Sequence, residues 1–142
     1  VKAIQDHFKV DFILNEDDLF LVENASEQAT AFGLNPISKP EVNKFVNDGE
    51  EINLGNMSID VIHTPGHSPG CVCYYSDSNV FVGDTLFAGS IGRTDLPGGS
   101  YKTLINSVKE KLFSLSDNTI VHPGHGPSTT IEDEKNHNPF LK

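Results

Sequence analysis

Three short loops each set one metal-binding side chain at the end of an apolar, strand-like run. The first is His63-Thr64-Pro65-Gly66-His67-Ser68-Pro69-Gly70. The second, Gly83-Asp84-Thr85, follows Val80-Phe81-Val82, and the third, His122-Pro123-Gly124-His125-Gly126-Pro127, follows Thr119-Ile120-Val121. Proline lacks a backbone donor and glycine adopts turn geometry, so a strand that meets Pro-Gly stops there. The next side chain is then held at the lip of a sheet, where binding groups usually lie. Neutral imidazoles and carboxylates are suitable ligands for zinc, manganese or iron. His67, Asp84 and His125 therefore read as parts of a metal site. A lone histidine in a turn more often packs or hydrogen-bonds, and it is the repeated context that favours ligands here. His63 and His122 precede their breaks, and alternation points them away from their partners, so both read as supporting residues. His7 and His137 fall on helical segments and read as solvated.

The segments Thr64-Pro-Gly-His-Ser-Pro-Gly, Val82-Gly-Asp-Thr-Leu-Phe with Gly92-Arg-Thr-Asp downstream, Pro123-Gly-His-Gly-Pro and Asn138-Pro-Phe-Leu occur in this order. In these motifs the chain resembles the metallo-β-lactamase superfamily, and within it the glyoxalase II-like (hydroxyacylglutathione hydrolase-like) enzymes. The resemblance runs from about Val1 to the end. It implies that His67 is the last ligand of a first metal, that Asp84 bridges two metals and that His125 binds the second. The implied cofactor is a pair of divalent ions, zinc first, with iron or manganese as alternatives. The resemblance also implies the fold: α/β (α+β), the C-terminal half of a four-layer αββα sandwich, with a mixed sheet carrying helices on one face. Residues 1–142 are expected to form one partial metallo-β-lactamase domain.

The family's main ligand motif, H-x-H-x-D-H, normally lies upstream of these loops, and none of the chain's histidines forms it. The chain also starts at Val1 without an initiating methionine. The expectation is a C-terminal part of a longer protein, cut after that motif and inactive by itself. Natural loss of the motif, giving a non-catalytic interaction module, is the alternative.

The chemistry implied is hydrolysis by a metal-bridging hydroxide, on a small-molecule thioester such as S-lactoylglutathione. A metal-generated nucleophile needs no Ser-His-Asp triad, and no serine lies in a nucleophile-elbow motif. An iron-dependent persulfide dioxygenase also carries Gly-Arg-Thr-Asp, but its third loop differs from the Pro-Gly-His-Gly-Pro of this chain. Arg93 is the substrate-side candidate: the resemblance places a basic residue there against the glutathione carboxylate, and an arginine would bind it bidentately. Pairing with Asp95, bracing the loop, is the alternative. The family's tyrosine beside this basic residue has no counterpart here, which leaves the thiol open.

Twenty acidic and ten basic residues give a net charge of −10. That balance repels phosphate backbones and anionic membrane surfaces, so neither nucleic acid nor membrane is expected as a partner. Cys71 and Cys73, the two cysteines, suit packing better than a bridge or a zinc site, which fits a cytoplasmic setting.

The elements that position the loops can be read from periodicity. Val1, Ile4 and Phe8 have helical spacing, and Val10 to Leu14 reads as a buried strand. Asn15 reads as an N-cap followed by acidic residues, for a helix that turns Leu19, Val22, Ala29 and Phe32 inward and stops at Gly33. Ile52 to His63 reads as two strands about Leu54-Gly55-Asn56, and Val72 to Val82 as a hairpin turning at Ser76–Asn79. Leu104, Ile105, Val108, Leu112 and Leu115 form a helical stripe. Thr119 to Val121 is expected to be the last strand, with Thr129 and Glu132 as a capping box for a final helix ended by Pro139. A sheet with one uncovered apolar face would favour self-association through that face.

Overall fold

The computed structural model describes all residues, 1–142, and they divide into two compact units, Val1–Val46 and Asn47–Lys142.

In the first unit, helix α1 (Lys2–Phe8) forms where the apolar spacing places it, although Val1, Ile4 and Phe8 are all exposed. The expected strand from Val10 shortens to β1 (Ile13–Leu14), paired parallel with β2 (Lys44–Phe45), and Val10 is exposed. Asn15 caps as its position predicts: its side-chain oxygen accepts from the Asp17 amide at 3.0 Å. The turn that follows is 3-10 (Glu16–Asp18), and the helix beyond is broken into α2 (Leu19–Glu23) and α3 (Ala25–Ala31). Asn24 explains the break, because its side-chain amide donates to the Phe20 carbonyl and so competes with the backbone ladder. Val22 and Ala29, seven residues apart and so on one face, are buried, while Phe32 lies past the end of α3 and is exposed. Gly33, at φ +74°, ends the helix, and the Leu34 amide returns to the Ala29 carbonyl.

The second unit is built on a six-stranded sheet. Its strands are β3 (Glu51–Leu54), β4 (Met57–His63), β5 (Val72–Ser76), β6 (Asn79–Gly83), β9 (Ile120–Pro123) and β10 (Thr129–Thr130). A separate hairpin, β7 (Leu86–Phe87) and β8 (Ser90–Ile91), follows the second loop. The sheet order is β10-β9-β6-β5-β4-β3, antiparallel except for the parallel pair β6 and β9. The β5–β6 hairpin turns at Asp77 and Ser78, whose φ values of +48° and +62° match the twist of the strands it joins. Helix α4 (Tyr101–Glu110), a 3-10 turn (Leu112–Ser114) and α5 (Ile131–His137) cover one face.

Alternation sorts the side chains. Val80, Val82 and Val121 join Leu86, Val108, Leu112 and Ile131 in the core, while Phe81 and Ile120 are exposed. The helical stripe lands as spaced, with Leu104, Val108 and Leu112 fully buried. At the end of the chain the sequence expectation needs correction by one residue. The cap is Thr130, accepting from the Asp133 amide at 3.1 Å, because the Thr129 hydroxyl is committed to Glu134; both threonines form the extra strand β10. No helix is long and apolar enough to cross a membrane.

Candidate metal centre

The first loop begins where β4 ends. The His63 ring donates from Nε2 to the Pro69 carbonyl at 2.8 Å, closing the loop on itself and turning away from His67. The Ser107 hydroxyl donates to the Pro65 carbonyl, and the Ser100 amide to the Gly66 carbonyl, so α4 holds the loop from below. Gly66 has φ +140°, and a Cβ there would overlap the Leu104 backbone. The loop therefore lies directly on the helix, and only glycine permits the approach.

The second loop starts at an irregularity. The register of β6 against β9 shifts between Phe81 and Gly83, and Gly83 adopts φ +51°, so the strand turns and delivers Asp84 to the rim. Thr85 and Thr64, both fully buried, place their hydroxyls 3.2 Å apart, joining the first loop to the second. The third loop is joined to the second by the Gly124 amide, which donates to the Gly83 carbonyl at 2.8 Å. His122 stays out of the rim, its ring hydrogen-bonded to Asn79 and Ser128 and stacked on Phe81 at 4.9 Å.

These loops bring His67, Asp84 and His125 together. Asp84 Oδ2 lies 3.8 Å from His67 Nε2, and Asp84 Oδ1 lies 3.5 Å from His125 Nε2. Ligands about 2.0–2.2 Å from a tetrahedral zinc ion stand roughly 3.3–3.6 Å apart, a range that includes the His125–Asp84 separation and lies just below the His67–Asp84 one, and both are long for direct hydrogen bonds. Each histidine faces a different carboxylate oxygen, and no three His, Cys, Asp or Glu side chains converge on one point. The arrangement is one carboxylate set between two imidazoles, one facing each of its oxygens.

The tautomer of His67 follows from its neighbour. Nδ1 lies 2.9 Å from the Arg93 carbonyl oxygen, which can only accept, so Nδ1 carries the hydrogen and Nε2 keeps its lone pair toward the Asp84 side. Arg93 thus acts through its backbone, a role its side chain gave no reason to expect. Its guanidinium makes a bidentate pair with Asp95, Nε to Oδ1 at 2.8 Å and an Nη to Oδ2 at 2.7 Å. That pairing holds the Asp95 carboxyl down at about 2 and raises the guanidinium further. Sequence reading also missed Gly92, where a Cβ would overlap the Asp84 carbonyl, and Gly124, where a Cβ would lie 2.6 Å from Asp84 Oδ1. A glycine precedes each ligand candidate, a signal that covers Gly124 but not Gly92, and what either makes room for is not local.

Neither cysteine forms a disulfide. Cys73 is fully buried beside the Thr64 hydroxyl, and burial pushes its thiol up to about 12. A concavity of about 620 Å³ lies within the first unit and is lined by residues such as Phe12, Leu21, Val22 and Ile37. It holds none of the three ligand candidates, and its apolar walls offer no metal donors beyond Asp6, which pairs with Lys2 at its edge.

The model of the metallo-β-lactamase superfamily matches residues 1–126, and this chain belongs to that family. The hydroxyacylglutathione hydrolase GloC of Haemophilus influenzae is 43% identical over 147 residues, covering 97% of this chain and 67% of GloC. Among solved structures, the BLEG-1 B3 metallo-β-lactamase aligns with a TM-score of 0.90 and 38% identity, covering 99% of this chain and 69% of that one. TTHA1623 in a di-iron-bound form aligns at 0.86 and 43%, covering 98% and 69%. The chain spans about two thirds of GloC and about half of other curated relatives it matches.

Proposed function

We propose that this chain carries one side of the dinuclear metal centre of a hydrolase, and that the hydrolase cleaves thioesters of the S-lactoylglutathione type. The observation that carries the reading is the division of Asp84, one oxygen toward His67 and the other toward His125. The relation to GloC supports the hydroxyacyl thioester as substrate. When bound, two divalent ions would supply a hydroxide at neutral pH and polarise the carbonyl it attacks.

The chain's own residues contribute position. The Arg93 carbonyl orients His67, the Thr64–Thr85 contact fixes the first loop against the second, and Gly124 lets the third loop close on Asp84. The fully buried thiol, Cys73, is pushed up to about 12 by burial and so does not act as a nucleophile. The Arg93 guanidinium lies exposed at the rim and would exchange Asp95 for the carboxylate of an acidic thiol.

The test is thiol release from S-lactoylglutathione by the full gene product loaded with zinc, iron or manganese, with oxygen uptake followed in parallel. Thiol release without oxygen uptake is the expected result. Oxygen consumption with a persulfide, or cleavage of a β-lactam alone, would overturn the thioesterase reading.

A further inference from the structure

We propose that Glu134, on the last helix, is a positioning residue for His125. The inference rests on the metal-centre reading of His125 and lies outside the residues matched by the family model, which end at 126.

Glu134 is 3% exposed. Its carboxylate accepts from the Gly89 amide at 3.2 and 3.1 Å, from the Thr129 hydroxyl at 2.7 Å and from the Asn138 side-chain amide at 2.6 Å. All of these donors are neutral, so a buried carboxylate is kept here by hydrogen bonds and not by an ion pair. Such a group is costly to bury unless its lone pairs are filled, and a helix that needed only packing would place an apolar residue here. What the carboxylate gains is reach. Gly89 lies at the turn of the β7–β8 hairpin that follows Asp84, and Thr129 lies just beyond His125. Asn138, 1% exposed, adds a second hold on the same turn by donating to the Ser90 carbonyl at 3.0 Å.

One carboxylate therefore clamps the far ends of the second and third loops together. The clamped hairpin presents Phe87, whose ring centroid lies 6.2 Å from that of His125. His125 needs such support. Its side chain is 78% exposed, and its nearest charged neighbour, Asp84 Oδ1, lies beyond good hydrogen-bond distance at 3.5 Å. Its position is set by the third loop and the Phe87 wall, and Glu134 fixes one relative to the other.

The test uses the full gene product carrying Glu134→Gln, which keeps the shape but turns an amide donor toward neutral donors. Hydrogen exchange of the metal-free protein is expected to quicken jointly across 86–91 and 124–129. Cobalt titration is expected to show the weaker of two binding events lowered roughly 10–100-fold, the usual effect of losing an outer support of a ligand. If Glu134→Gln does not fold, Thr129→Val removes the same link to the third loop and is read by the same two measurements. Faster exchange confined to 131–142, with metal affinity unchanged, would show that Glu134 merely anchors its helix and would overturn the proposal. Neither readout needs a substrate, so a failed thioester assay and a failed clamp are separate results.

Discussion

Gly124 and Asp84 are fitted to each other: a methyl group at Gly124 would lie 2.6 Å from Asp84 Oδ1, the oxygen that faces His125. The third loop can thus close over the carboxylate only because it carries no side chain at that point. Gly124→Ala is expected to push the Asp84 carboxylate aside and lower metal affinity roughly 10–100-fold although no ligand residue is removed. Isothermal titration of the metal-free protein measures this, and unchanged affinity would mean that the loop simply yields.

Asp84→Ala is expected to remove metal from both positions and to abolish hydrolysis, because each of its oxygens serves a different histidine. His125→Ala should leave one ion bound. Metal content by elemental analysis separates the two variants, and loss of only one ion from Asp84→Ala would rule out a bridging carboxylate.

Arg93→Ala is expected to raise KM for a thioester bearing free carboxylates and to leave kcat nearly unchanged, since the carbonyl that orients His67 survives the substitution. An uncharged thioester should show no change in KM. A fall in kcat with both substrates would assign Arg93 to bracing through Asp95 instead.

Acid stability should depend on Asp48. Burial alone would raise this carboxyl, but the Lys111 ammonium at 2.8 Å and the His63 backbone amide at 2.7 Å outweigh it and hold the carboxyl below its ordinary value. A depressed carboxyl stabilises the fold above its unfolded value, about 4, and that contribution is lost as the pH falls through the folded value. Asp48→Asn should therefore be less stable than the parent at pH 7, and the gap should close below about pH 4. Urea melts at pH 7 and pH 3 measure it, and a gap that widened in acid would reverse the sign argued here.

Cys73 should resist alkylation at pH 8 in the native protein, because burial raises its thiol to about 12. Mass mapping after iodoacetamide treatment, with and without denaturant, reads this directly. Cys73→Ser is expected to cost about 1–3 kcal/mol of stability and no activity per folded molecule. A large loss of kcat would place the thiol in the reaction.

The three ligand candidates were legible in the sequence because their signals are local. Pro-Gly and Gly breaks after apolar runs mark strand ends, and strand ends face the rim of a sheet. The same locality exposed the β5–β6 hairpin, the α4 stripe and the Asn15 cap. Where a local signal had a competitor, reading failed. Asn24 split one expected helix into two, and Thr129 gave its hydroxyl to Glu134, so capping passed to Thr130.

Residue types and their spacing alone named the groups that could hold metal. Tertiary structure decided how they face one another. The division of Asp84 between two histidines, the Arg93 carbonyl behind His67 and the steric need for Gly92 and Gly124 all join residues far apart in the chain. The physical reason is that a hydrogen bond or a steric fit depends on distances that only the packed sheet and helices establish, whereas a turn or a cap is written within a few consecutive residues.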